Sequence, residues 1–233
     1  MGLGRLKHSA MNLVIFDCDG TLVDSQNAIF GAMQHAYGGL GLAVPTRPQV
    51  LGVVGLSLPE AFKALGPSLS QPVRDELARL YKGAFPHPPL AQIERDPLFP
   101  GAKAAVEALA QRDDVVLGIA TGKSLRGVHR LFDQEGWHEL FVTVQTADNH
   151  PSKPHPSMIE TAMREAGVEA GRTIMIGDTT FDIEMGGNAG VASIGVAWGY
   201  HDVAELTAAG AATIVDRFEQ LEAAVDRLME SGR

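Results

Sequence analysis

Short, wholly apolar runs separated by helical stretches are the feature that most restricts how this chain can fold. Leu13-Val14-Ile15-Phe16 is followed, much later, by Val115 to Ala120, Leu140 to Val144, Thr173 to Ile176, Val191 to Val196 and Ala212 to Val215. Apolar runs of this length read as strands buried on both faces. Between them, Ala102 to Arg112, Ser124 to Glu135, Pro156 to Ala166 and Phe218 to Met229 carry helical periodicity. Strands alternating with helices predict an α/β fold whose parallel sheet is covered on both faces.

The alternation fails between Asp24 and Asp96. Candidate helices there are Gln26 to Tyr37, Pro59 to Leu65 and Pro72 to Lys82, separated by the breakers Gly38-Gly39-Leu40-Gly41 and Phe85-Pro86-His87-Pro88-Pro89. Two units follow: residues 1–23 together with 97–233 as the α/β core, and 24–96 as a helical insert after the first strand.

Composition narrows the functional classes. With 45% hydrophobic and 20% charged residues the chain is an ordinary globular one. Its net charge of −9, without any dense run of Lys and Arg, argues against nucleic acid and anionic membranes as partners. Cys18 is the only cysteine, so no intrachain disulfide forms, and a reducing cytoplasm is the expected location. The apolar stretch Met11 to Phe16 is too short for a signal core, and nothing reaches transmembrane length.

Open parallel sheets bind ligands at the carboxyl ends of their strands, so polar residues directly after the apolar runs are the site candidates. They are Asp17 and Asp19, Thr121-Gly122, Lys153, and Gly177-Asp178 with Asp182. A carboxylate can attack phosphorus to form an acyl phosphate, and a second carboxyl two residues on can protonate the leaving oxygen and then activate water. Asp178 with Asp17 would suit magnesium, which takes one or two protein carboxylates beside phosphate and water. Thr121 and Gly122 can offer a hydroxyl and an N–H to phosphoryl oxygens, while Lys153 offsets their charge. Each has a plainer reading: an Asx-type turn at Asp17 and Asp19, an N-cap at Asp178 or Thr180, a solvated loop lysine at Lys153. The agreement of four placements favours the chemical reading.

Asp17-Cys18-Asp19-Gly20-Thr21-Leu22-Val23-Asp24-Ser25, Thr121-Gly122, Lys153-Pro154 and Gly177-Asp178-Thr179-Thr180-Phe181-Asp182 resemble, in order, the four motifs of the haloacid dehalogenase superfamily. The resemblance implies a Rossmann-like core with a small helical cap over the active site, the cap corresponding to the insert. It also implies Asp17 as nucleophile and metal ligand, Asp19 as acid/base with its carbonyl on the metal, and Asp178 as the other carboxylate ligand. Asp182 becomes a supporting carboxylate, acting through water or by orienting Lys153. Thr121, Gly122 and Lys153 become phosphate binders, with Cys18 and Gly20 at further phosphate-binding positions of the first motif. Cys18 itself reads as a small buried hydrophobe rather than a nucleophile.

Within the superfamily, Asp19 argues against the dehalogenase branch, which lacks a carboxylate there. Thr21 and Leu58, where mutases tend to carry an apolar residue and an Arg, favour hydrolysis over phosphosugar mutase chemistry. The chain resembles the phosphoglycolate phosphatase-like group, which implies a small phosphorylated metabolite as substrate; a pyrophosphatase or a catalytically silent binding protein are the alternatives. Specificity is expected in the insert, with Gly52 to Leu58, Glu60 and Lys63 as candidates. His155 is the one histidine considered as a substrate contact. Hinge motion is expected near Leu22 to Gln26 and Asp96 to Pro100, and a monomer suffices. A receiver-type signalling module, another aspartate acceptor, is about half this length and has no insert after its first strand.

Overall fold

A computed structural model describes residues 11–85 and 97–231. The breaker at Pro86 to Pro89, the expected boundary at Asp96 and the histidines His8 and His87 lie outside the described residues.

Six strands, β1 (Asn12–Phe16), β2 (Val115–Thr121), β3 (Phe141–Thr146), β4 (Thr173–Gly177), β5 (Ala192–Val196) and β6 (Thr213–Val215), form one parallel sheet in the order β3-β2-β1-β4-β5-β6. The six apolar runs coincide with these strands to within two residues at either end. Side chains alternate across the sheet as a strand requires. Val14 and Phe16 pack into one buried cluster with Leu117, Ile119, Ile174 and Ile176, while Leu13, Ile15 and Met175 enter a second cluster on the opposite face. Helices α5 (Ala102–Ala110), α6 (Leu125–Glu135), α7 (Ser157–Ala166), α8 (Thr180–Asn188), α9 (Val203–Ala208) and α10 (Leu221–Ser231) accompany the sheet.

The insert contains α1 (Gln26–Gly39), α2 (Arg47–Leu51), α3 (Leu58–Leu65) and α4 (Gln71–Gly83). These four pack on themselves: Ile29, Met33, Tyr37, Val50, Phe62 and Leu77 form a third buried cluster separate from the two sheet-face clusters. Three helices, α2, α8 and α9, have no counterpart among the helices expected from periodicity. Each is marked instead by a capping box, Thr46 with Gln49, Thr179 with Asp182 and Asp202 with Glu205. Among the described residues no helix is long and apolar enough to cross a membrane.

Candidate active site

Register sets the site. Phe16 lies opposite Ile119 of β2 and Ile176 of β4, so the residues that follow each strand emerge together at one sheet edge. The chain leaves β1 toward β2 and β3 on one side and reaches β4, β5 and β6 on the other. That reversal opens the crevice where such sheets bind ligands. Asp17, Thr121, Lys153, Asp178 and Asp182 all converge there and all are buried.

Lys153 is the centre of the charge arrangement. Its Nζ stands 3.0 Å from Asp17 Oδ1 and 2.6 Å from Asp182 Oδ1, with the ammonium wholly out of solvent. Burial alone would lower its pKa; the charges of Asp17 and Asp182 outweigh this and hold it above the ordinary lysine value. Asp182 is fixed twice over. Its Oδ2 accepts from the Thr179 N–H at 3.1 Å and the Thr179 hydroxyl at 2.7 Å, closing the capping box that starts α8. The N-cap of α8 is therefore Thr179, and neither Asp178 nor Thr180 fills that role. Asp182 thus contacts Lys153 directly.

Asp178 receives the Thr21 hydroxyl at 2.8 Å and the Tyr200 N–H at 2.9 Å. Burial, then Asp182 and Asp17, still raise its pKa well above the usual carboxylate value. Glycine is required on both sides of it: a Cβ on Gly20 or on Gly199 would overlap the Asp178 carboxylate, and Gly20 also holds a φ of +90°. The Gly20 N–H is committed to the Val23 carbonyl at 2.9 Å. Gly20 thus serves the first motif through its conformation and small size, rather than through an N–H offered to phosphate. The Cys18 side chain points into the sheet-face cluster, and burial pushes its thiol well up, as expected of a small core residue.

Asp19 lies at the cavity edge. The Ser25 hydroxyl donates to its Oδ1 at 2.6 Å, and Lys123 Nζ approaches the same atom at 2.5 Å. Ser25 in turn lies 3.4 Å from the Tyr200 hydroxyl, and Tyr200 packs against the helical insert. Lys123, Tyr200 and Gly199 were not among the sequence candidates. Lys123 directly follows Thr121-Gly122, and Gly199 and Tyr200 follow β5, so the strand-end rule applied to every residue of each loop would have reached them.

A cavity of about 560 Å3 lies between the insert and the sheet edge, lined by Asp17, Asp19, Thr121 and Gly122 on one side and by the loop from Val53 to Leu58 on the other. The expected specificity loop is thus at the site. Glu60 and Lys63 are not: they pair with each other at 3.2 Å on the exposed side of α3. His155 does not line the cavity either, and its Nδ1 accepts the Ser157 N–H. The loop is docked on the core by a Ser57 N–H bond to Ser152 Oγ at 2.8 Å and by close backbone approach at Gly122. A Cβ on Gly122 would stand 2.7 Å from the Gly55 carbonyl oxygen and 3.0 Å from that of Leu56. Backbone cannot rotate aside as a side chain can, so Gly122→Ala forces the insert off the site. The expected result is a fall of roughly 10- to 100-fold in kcat/KM with an almost unchanged melting temperature, read by steady-state kinetics and a thermal melt. A full retention of activity would show that this contact is dispensable.

A hard divalent cation fits the arrangement. One carboxylate oxygen from each of Asp17, Asp178 and Asp182 lies within 4.8 Å of the others, and all three residues are buried. Neither oxygen of Asp17 has a directed hydrogen bond among the described residues. Buried carboxylates beside like charges are costly, and a cation relieves that cost.

An open parallel sheet with an aspartate after β1, a second carboxylate two residues on, a buried lysine and a further aspartate after β4 defines one class of hydrolase. The chain belongs to the haloacid dehalogenase-like hydrolase family, whose sequence model matches residues 14–196. Among curated relatives it is 38% identical to the probable phosphatase IndB of Dickeya dadantii, over 94% of this chain and 95% of that one. It is 30% identical to the pyrophosphatase PpaX of Bacillus pumilus, over 83% of this chain and 86% of the relative. Identity to the phosphoglycolate phosphatase of Vibrio parahaemolyticus is 28%, over 91% and 94%. A haloacid dehalogenase-like hydrolase from Streptococcus pneumoniae shares the fold with a TM-score of 0.79 at 24% identity, covering 92% of this chain and 98% of its own.

Proposed function

We propose that this chain is a magnesium-dependent phosphatase that hydrolyses a small phosphate monoester through an aspartyl-phosphate on Asp17. The observation that carries the reading is a buried Asp17 carboxylate at the end of β1 with Lys153 Nζ 3.0 Å from its Oδ1. Asp17 attacks phosphorus and the bond to the leaving oxygen breaks, that oxygen taking a proton from Asp19. Asp19, now ionised, takes a proton from water as the water oxygen attacks phosphorus; the bond to Asp17 breaks and inorganic phosphate leaves. Lys153 lies against both Asp17 and the transferring oxygens, with Thr121 and Gly122 beside it. Asp17, Asp178 and the Asp19 carbonyl would hold magnesium, whose charge would offset that of the phosphoryl oxygens. Asp182 has both oxygens engaged and serves by holding Lys153.

In this reading residues 1–23 and 97–233 are the catalytic core and 24–96 the cap. The insert already covers the site, so the proposed chemistry needs no second copy and a monomer suffices, and a lone buried Cys18 supports a cytoplasmic setting. Phosphate release from a panel of small monoesters tests the proposal. Turnover is expected with magnesium and is expected to fall at least about 100-fold when a chelator removes it, returning on readdition. Turnover indifferent to chelation would remove the metal from the reading, and no turnover by folded protein would remove the phosphatase itself.

A further inference from the structure

The cavity is larger and less polar than its relatives' small substrates require, and its charges are laid out along one helix. At about 30 Å3 per water molecule, 560 Å3 has room for roughly 19 waters. The insert contributes a wall that includes Ile29, Met33, Val50, Val54 and Ala61, all buried or nearly so. Phosphoglycolate, with its two-carbon body, and pyrophosphate, with none, would leave most of this space to water and gain nothing from an apolar wall.

The opposite wall is α6 and the loop before it. Arg126, Arg130 and Gln134 line the cavity at a spacing of four residues, along one face of α6, and Lys123 lines it from the loop before the helix. Lys123 touches Asp19, at the reacting end. Arg130 lies more than one turn into α6, roughly 7 Å along the axis from Leu125. It is half-buried and has no ion pair or hydrogen bond among the described residues. Lys82, from α4, lines the same cavity, and against these cations stands Asp148, whose Oδ2 accepts the Leu125 N–H. Arg130 is thus a half-buried cation of the cavity lining, facing the same space as the apolar wall of the insert.

We propose that the substrate is an elongated phosphate monoester with an apolar or aromatic body and a second anionic group at the end remote from the phosphorus, met by Arg130, more than a helical turn into α6. This rests on the phosphatase reading and adds the leaving-group class to it. Phosphoglycolate and pyrophosphate carry their second anion too close to the phosphorus to reach Arg130. Arg130 is a specificity residue here, with no part in the bond-making steps.

The test compares four compounds: phenyl phosphate with a para-propionate arm, the same ester with a para-propyl arm, phosphoglycolate and pyrophosphate. The propionate-armed ester is expected to exceed the last two by at least about tenfold in kcat/KM, and the propyl-armed ester by a similar factor, mainly through KM. Arg130→Gln is expected to bring the ratio of the two armed esters close to one. Equilibrium binding of both esters to Asp17→Asn protein reads the same ratio without turnover. If nothing is hydrolysed, not even acetyl phosphate, the phosphatase reading fails while the binding ratio still decides this inference. Equal or better use of phosphoglycolate or pyrophosphate, or a ratio that Arg130→Gln does not change, overturns it.

Discussion

Asp17→Asn is expected to lower phosphate release by about 10^4-fold or more, because an amide cannot form and release the acyl phosphate. The fold is expected to survive, and in metal-free buffer to gain. Burial raises the Asp17 pKa from 3.8 to about 6; Lys153 and Thr121 oppose the rise, while Asp182 and Asp19 add to it. The folded protein therefore keeps a proton on Asp17 that the unfolded chain has already released. Stability contributed by that proton is present below the unfolded value and is lost as pH rises from about 4 to about 6. An asparagine has no such proton to lose. Metal-free melting curves across this range should fall with pH more steeply in the parent protein than in Asp17→Asn. Full turnover in the variant would place the nucleophile elsewhere. Unfolding of the variant would make the carboxylate a structural group instead.

The sheet was legible because its strands are short, largely apolar runs bounded by turns and alternating with longer helical stretches, and their length separates them from helices. The four clusters of site residues were legible for a related reason: parallel strands place their carboxyl ends on one edge, so sequence position relative to a strand is also position in space. What remained hidden depends on contacts between distant segments. Nothing in the sequence around Gly122 shows that the Gly55 carbonyl will press against it, and nothing around Gly199 shows that the Asp178 carboxylate occupies the space of its missing side chain. Glu60 and Lys63 misled because a charged pair at i, i+3 next to a glycine-rich loop has the same appearance whether it faces substrate or water. Only the direction in which α3 buries Ala61 and Phe62 decides the matter.

Lys153→Met tests the central ion group more severely, since it removes charge while keeping most of the volume. Among the described residues Lys153 is the one cation in direct contact with Asp17 and Asp182, both essentially without solvent exposure. Truncating one member of a buried charge group leaves the others uncompensated and costs about 3–5 kcal/mol. For a chain of this size that is a fall of roughly 10 °C in melting temperature. Three carboxylates then lie within 4.8 Å of one another with no lysine between them, so Asp17 and Asp178 hold their protons to higher pH than before. The deficit is expected to be largest above about pH 6, where Asp17 would otherwise ionise, and to shrink as acid neutralises the group. Magnesium should restore part of the loss by ligating Asp17 and Asp178, giving the variant a larger metal-induced rise in melting temperature than the parent protein. Turnover should still be down by about 10^3-fold in saturating magnesium, because the cation cannot also stand where the ammonium meets the phosphoryl oxygens. A variant as stable as the parent at pH 8 without metal would mean that the carboxylates are neutral in the parent protein and that Lys153 is not what keeps Asp17 ready to attack.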